Sequence, residues 1–107
     1  MAPRELVNPI ADLFDAAVRH MTVQLRCPRC GWTAHFDPHA MWWLFERKGW
    51  NDRISQVVAH FYCDACRARG GAPVRPRIAL LDVSVPIDAR LEMPTEQAWK
   101  RMLSRRR

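Results

Sequence analysis

In LRCPRCGWTAHF, residues 25–36, a Cys-Pro-Arg-Cys-Gly turn separates two short runs of alternating apolar and polar residues. HFYCDACRARGG, residues 60–71, repeats the spacing, and the two pairs account for all four cysteines of the chain. A Cys-x-x-Cys turn presents two sulfur atoms to one metal ion, and two such turns supply the four thiolates of a tetrahedral site. The sequence therefore predicts one metal site, and its ligands are Cys27, Cys30, Cys63 and Cys66.

Zinc is the metal that this ligand set favours, because four cysteines form a common structural zinc site. Iron ranks second. The Cys-Pro-x-Cys-Gly turn resembles a rubredoxin knuckle, but in rubredoxins that turn comes second and no pair of helices separates the two turns. His35 and His60 lie near the cysteines and are weaker candidates, since four thiolates already complete the coordination shell.

A redox role is the alternative for the first pair, because proline between two cysteines is familiar in thioredoxin-type motifs. Such a motif is expected at a helix N-terminus, after a buried strand of an α/β domain. Here an alternating strand follows Cys30, which disfavours a catalytic dithiol. A zinc site that releases its metal on oxidation stays open as an alternative.

Local patterns predict the elements around the cysteines. Residues 22–26 and 32–37 alternate and flank the first turn, so they predict a β-hairpin. Asp37-Pro38 begins a helix that ends near residue 48, before Gly49. Asn51 or Asp52 can cap a further helix near 52–61. Together these two helices make a helical insert over residues 38–61.

The ends of the chain also predict regular structure. Asn8-Pro9 begins an amphipathic helix over residues 9–20. The apolar run 74–85 predicts a strand that begins after Pro76 or lies on a sheet edge. Residues 95–105 predict a last helix. We therefore expect one α+β domain, in which a helix over 1–21, a metal-binding ribbon over 22–86 and a basic helix and tail over 87–107 follow one another.

The paired knuckles between strands resemble the zinc-ribbon fold group. The segments RCPRCG, KGWNDRI and FYCDACRARG are similar to small, largely uncharacterised bacterial zinc-ribbon proteins, over about residues 22–71. The resemblance implies a short antiparallel sheet around one structural zinc ion. It also implies nucleic acid, or the transcription and translation machinery, as a partner.

The charge of the chain supports nucleic acid as the first candidate partner, because the formal net charge is +6. The alternative is that arginines beside the cysteines offset the negative charge of a zinc–thiolate centre and that the tail is a solvated terminus. The candidate contacts are Arg26, Arg29, Arg67, Arg69, Lys100, Arg101, Arg105, Arg106 and Arg107.

A protein partner or a second copy of the chain is the other candidate, because the insert is rich in large aromatic residues. The residues concerned are Trp42, Trp43, Phe45 and Trp50. The alternative is that the terminal helices cover them.

An enzyme is not expected. The sequence has no paired carboxylates, no nucleophile–histidine constellation and no glycine-rich phosphate loop, and four cysteines would leave a zinc ion no open position. No small-molecule substrate is evident. We expect a cytoplasmic protein, because no signal-peptide pattern and no stretch long enough to span a membrane is present.

Overall fold

A computed structural model describes residues 10–106 of the chain. The elements, in chain order, are α1 (Leu13–Val18), β1 (Thr22–Arg26), β2 (Thr33–Phe36), α2 (Pro38–Lys48), α3 (Ile54–Val57), a 3₁₀ turn (Val58–His60), α4 (Asp64–Ala68), β3 (Arg77–Leu81) and α5 (Glu96–Arg105). The α+β class predicted from the sequence is confirmed.

The three strands form an antiparallel sheet with β1 in the centre, in the order β2-β1-β3. Val23 pairs with Phe36 on one side and with Leu80 on the other, so these apolar residues share one face of the sheet. The predicted hairpin is present, although its second strand covers only Thr33–Phe36. The predicted strand after Pro76 is also present, and it lies on an edge of the sheet as expected.

Helix α2 supplies the largest side chains of the core and has the predicted bounds. The Asp37 carboxylate accepts hydrogen bonds from the amides of His39 (2.8 Å) and Ala40 (3.2 Å). Gly49 ends the helix at a φ of 68°, a conformation that glycine adopts without a steric penalty. Local signals are therefore enough to fix both ends of α2.

Helix α5 covers the outer side of α2, as its predicted apolar side requires. Thr95 caps the helix by accepting a hydrogen bond from the Ala98 amide at 3.1 Å. The Trp99 ring lies 5.2 Å from that of Trp42 and 5.3 Å from that of Phe14. The C-terminal helix thus closes the core that α1, α2 and the sheet begin.

Helix α1 is shorter than the helix predicted over residues 9–20. It begins after Asp12, whose carboxylate accepts a hydrogen bond from the Asp15 amide at 2.8 Å. The backbone just before the helix is engaged elsewhere, because the Ala11 carbonyl accepts a hydrogen bond from the Ile54 amide. The predicted start at Asn8-Pro9 lies outside the described residues.

The second helix of the insert also differs from the prediction. In place of one helix over 52–61, the structure has the four residues of α3 followed by the 3₁₀ turn. Asp52 does not cap α3. Its carbonyl and carboxylate instead accept hydrogen bonds from the amides of Leu13 (2.9 Å) and Phe14 (3.3 Å) at the start of α1. Asp52 therefore forms a tertiary contact with α1, although the local pattern predicts that it caps the helix that follows it.

Candidate metal centre

The first knuckle is the turn between β1 and β2. The Cys27 amide donates to the Trp32 carbonyl at 2.8 Å, which closes the turn, and the Gly31 amide donates to the Cys27 carbonyl at 3.0 Å. Gly31 has a φ of 79°, so the turn requires the conformational freedom of glycine. The Cys30 amide donates to Cys27 Sγ at 3.5 Å, so a backbone N–H faces a sulfur atom.

The second knuckle is built on α4, a helix that the sequence-based predictions omit. The Cys66 amide donates to Cys63 Sγ at 3.3 Å, which makes the Cys63 sulfur the cap of this helix. The Cys63 amide donates to the Val74 carbonyl at 2.8 Å, which fixes the chain as it returns toward β3. Asp64 in the first turn, together with Ala65 and Ala68, is the sequence signal that could have indicated a helix.

The fold brings the four predicted cysteines together, with all four sulfur atoms within 4.8 Å of one another. The Sγ atoms of Cys27 and Cys66 are 3.8 Å apart, and those of Cys30 and Cys63 are 3.6 Å apart. Both distances are far longer than a disulfide bond. Both match the separation of ~3.8 Å between two sulfur atoms at the corners of a tetrahedron with Zn–S bonds of ~2.3 Å. The cluster can therefore hold one metal ion.

Burial and hydrogen bonds shift the pKa values of three thiols of this cluster, and the shifts are in opposite directions. Burial raises the pKa of the Cys27 thiol, but hydrogen bonds from the backbone amides of Cys30 and Arg29 outweigh it and lower this pKa to about 6. Burial raises the pKa of Cys63, and burial together with the neighbouring thiols raises that of Cys66 to about 12. Because metals bind thiolates, metal binding at neutral pH must release the protons of Cys63 and Cys66.

The cluster lies beside the hydrophobic core, and three of its four cysteines are shielded from water, whereas Cys30 is partly exposed. Cys27 and Cys63 are at most 1% exposed, and Cys66 is 4% exposed. Trp32 packs both against the cysteine cluster and against the apolar core. Three of the four ligands of a bound ion would therefore be buried, and the ligands come from two separate turns.

Neither histidine joins the cluster in the described part of the chain. The His35 ring contacts Gln24 (Nε2 to Nε2, 3.1 Å) and lies 3.3 Å from an Asp88 carboxylate oxygen. The His60 ring stacks on Trp50 with their centroids 4.0 Å apart.

The arginines beside the cysteines are exposed. Arg26 ends β1 and Arg29 lies at the tip of the first knuckle. Arg67 and Arg69 lie at the C-terminal end of α4, where the Arg67 guanidinium is 5.8 Å from the centre of the Tyr62 ring. All four are accessible to a ligand.

The basic tail is more closely tied to the fold than the sequence suggests. Arg106 donates to the Asp12 carboxylate at 3.2 Å, and its guanidinium lies 4.3 Å from the centre of the Phe14 ring. Lys100 forms an exposed ion pair with Glu96 at 2.9 Å.

Two other basic residues of α5 are placed beside the aromatic helix. Arg101 and Arg105 are exposed and line a cavity of about 140 Å³ together with Trp42 and Trp43. Arg107 lies outside the described residues.

The aromatic residues proposed as a protein interface divide into two groups. Trp42 and Phe45 are each 1% exposed and belong to the core, which corrects the prediction that they form a surface contact. Trp43 and Trp50 are half-buried. Trp43 donates its indole N–H to the Glu92 carboxylate at 3.3 Å. Phe14 of α1 and Trp99 of α5 both contact the Trp42 ring.

Comparison of the chain with protein-family models, with curated proteins and with solved structures finds no match. No helix in residues 10–106 combines the length and the apolar character needed to cross a membrane.

Proposed function

We propose that this chain is a non-catalytic binding module whose fold is stabilised by one structural zinc ion. The observation that carries the proposal is the meeting of four sulfur atoms from two Cys-x-x-Cys turns within 4.8 Å. Four thiolates would fill the tetrahedral shell of zinc and leave no position for water or substrate, which is the arrangement of structural sites.

Zinc rather than iron is proposed, although a tetrahedral set of four sulfur atoms suits both. The ribbon-like hairpin that carries the first knuckle supports zinc, as does the pair of helices between the knuckles. Elemental analysis of protein purified without added metal should find one equivalent of zinc. One equivalent of iron, with a visible absorption band, would overturn the choice of metal.

The Cys27→Ser variant tests the site itself. It should lose the metal and much of its resistance to thermal unfolding, because the remaining three thiolates bind zinc more weakly. A Cys27→Ser protein that folds and retains one metal equivalent would contradict the assignment. Metal content and the thermal midpoint are measured on the same preparation.

Nucleic acid is the partner that we propose for the module. The net charge of +6 and the exposed arginines at both knuckles support this proposal, since cations near phosphates provide affinity without sequence specificity. The protein-adaptor alternative is weaker, because the core residues Trp42 and Phe45 are not accessible to a partner.

A pull-down from the native host, divided into nuclease-treated and untreated halves, distinguishes the two partners. If the partner is nucleic acid, nuclease treatment should abolish the capture of nucleic acid and of any proteins bound to it. The affinity for purified oligonucleotides should also fall steeply as the salt concentration rises. Capture of the same proteins in both halves would overturn the proposal and favour a protein partner.

A further inference from the structure

A concave notch of about 540 Å³ opens beside the first knuckle, and basic residues dominate its lining. Its walls are Arg26, Cys27, Pro28, Arg29, Gly31 and Arg77. Two arginines come from the first knuckle and its strand, whereas Arg77 comes from β3, about fifty residues later in the sequence. A side chain at Gly31 would meet no atom within 4 Å, so the glycine leaves this side of the notch open.

Strand register explains why two of these arginines meet. Arg26 of β1 pairs directly with Arg77 of β3, so both side chains lie on the same face of the sheet. The partner of Arg26 on the other side is Thr33, which is also exposed. Like charges placed directly opposite each other across two strands destabilise the pairing. A negative charge beside the two guanidinium groups would compensate this repulsion.

The described residues provide no such compensation. Within residues 10–106, carboxylates form ion pairs with Arg19, Arg47, Lys100 and Arg106, but with none of the three notch arginines. None of these three side chains donates a hydrogen bond to another described residue either. Three guanidinium groups are thus free to bind one anion.

The negative charge of a zinc–thiolate centre is the competing explanation for these arginines. In the described residues, however, the N–H donors to cysteine sulfur are the backbone amides of Arg29, Cys30 and Cys66, and no arginine side chain donates to a sulfur atom. Cys27 is 1% exposed, so the notch presents guanidinium groups and not thiolate to the solvent. The three arginines are therefore exposed and make no hydrogen bond to sulfur through their side chains, so they remain accessible to an external anion.

We propose that the notch formed by Arg26, Arg29 and Arg77 binds a phosphodiester group of a nucleic-acid backbone. Guanidinium groups bind phosphate oxygens through charge-assisted, often bidentate hydrogen bonds. Such a contact positions the strand without reading its bases. The inference rests on the proposed function and assigns to it one specific phosphate site, in which Arg77 is the residue that the motif alone does not indicate.

The test compares two variants that lose the same charge. Arg77→Gln alters the notch, and Arg90→Gln alters an exposed arginine that lines a separate cavity beside α2. Each zinc-loaded protein is titrated with a labelled single-stranded RNA oligonucleotide of mixed sequence over a range of salt concentrations. We expect Arg77→Gln to weaken binding about tenfold and to lower the salt slope by about 1, with little effect of Arg90→Gln.

Folding is verified independently of binding. At low salt, the thermal midpoint of Arg77→Gln should equal or exceed that of wild type, because the substitution relieves the repulsion between Arg26 and Arg77. If Arg77→Gln does not fold, Arg26→Gln serves as the second variant. An oligonucleotide with uncharged methylphosphonate linkages should bind wild type and Arg77→Gln equally weakly.

A second arm separates a nucleic-acid backbone from a free phosphate. Side-chain NMR signals of the notch arginines are followed while pyrophosphate, and separately the oligonucleotide, is added to the wild-type protein. If Arg77→Gln binds the oligonucleotide as tightly as wild type does, the notch is not the phosphate site, and the proposed function still stands. Notch signals that shift with pyrophosphate, in a protein that binds no oligonucleotide, overturn nucleic acid as the partner. If neither probe shifts the NMR signals of the notch arginines, the notch does not bind phosphate groups.

Discussion

Arg75 connects the end of the helical insert to the segment that returns to the sheet. Its guanidinium donates hydrogen bonds to the carbonyls of Val58, Ala59 and Phe61, at the end of the 3₁₀ turn. The same group lies 4.2 Å from the centre of the Tyr62 ring and donates to the Tyr62 hydroxyl at 3.0 Å. One side chain thus donates to several carbonyl groups at the end of a helical segment, where the helix itself supplies few amide donors.

We expect Arg75→Ala to lower the free energy of unfolding by about 1–2 kcal/mol, because charge-assisted hydrogen bonds and the ring contact are lost. Arg75→Lys should recover only part of this loss, since an ammonium group cannot reach several carbonyls in one plane. Denaturant unfolding of the zinc-loaded proteins measures both changes. Arg90→Ala, at an exposed arginine, is the matched control and should change stability by less than about 0.5 kcal/mol.

For individual residues, the sequence predicts the roles of the four cysteines but not those of the arginines that make contacts between distant parts of the chain. The four ligands are recognisable because their chemistry requires a fixed spacing within each turn. Arg75 and Arg77 gain their contacts only when the chain returns from the second knuckle to the sheet. Arg106 is likewise predicted only as a nucleic-acid contact of the basic tail, with a solvated terminus as the alternative, yet it pairs with Asp12 across most of the chain length. Such pairings depend on tertiary structure, which local spacing does not encode.

Among the elements, α2 and α3 show when local signals suffice. The cap of α2 at Asp37 and its end at Gly49 lie next to the helix in sequence, so both are predictable. Asp52 appears equally suited to cap α3, but its acceptor groups are used by the start of α1. Burial also raises the pKa of the Asp52 carboxyl, with Asp12 contributing in the same direction, as expected for a group enclosed between two elements. Two helices can therefore compete for one acceptor, and local sequence does not show which helix that acceptor will cap.

Glycine positions at the ends of elements give a matched pair of variants. Gly49 has a φ of 68°, so Gly49→Ala should cost about 1 kcal/mol at the end of α2. Gly71 has no positive φ, and a Cβ there would meet only the Cys66 carbonyl oxygen, at an ordinary contact distance of 3.7 Å. Gly71→Ala should therefore be close to neutral. Equal losses in thermal unfolding of the two zinc-loaded variants would contradict this account of the α2 terminus.

The contact between α2 and α5 should depend on pH through His39. The His39 ring lies 4.6 Å from that of Trp99 and 5.4 Å from that of His20. Burial lowers the pKa of His39, the nearby Asp37 raises it and His20 lowers it further, and the net shift is downward. Folded His39 therefore resists protonation more than unfolded His39 does. Its contribution to stability is complete above about pH 6.5 and is lost as the pH falls below that value.

The prediction is measured as a difference, because acid also weakens zinc binding. We expect wild type to lose more stability between about pH 7.5 and about pH 5.5 than His39→Gln, whose side chain stays neutral. Denaturant unfolding followed by tryptophan fluorescence gives both values. If the two proteins lose the same stability, His39 does not couple this contact to pH.

In the whole molecule, two separate clusters of buried residues support the fold. The first is apolar and joins the sheet to α1 and α2, with Trp42 and Phe45 among its largest members. The second consists of the buried cysteines, and Trp32 packs against both clusters. The helix α4 has Cys66 as its one buried residue, so the segment around the second knuckle packs mainly against the cysteine cluster and not against the larger apolar core.

Removal of the metal should therefore loosen the two parts of the molecule unequally. A chelator deprives α4 of its main stabilising interaction, whereas the apolar core keeps its packing. Hydrogen exchange of the zinc-loaded and chelated proteins provides the measurement. We expect the amides of Cys63, Cys66 and Arg67 to lose most of their protection, and those of Trp42 and Phe45 to keep part of theirs. Equal loss in α2 and α4 would show that zinc stabilises the whole domain as a single cooperative unit, so that the apolar core does not persist without it.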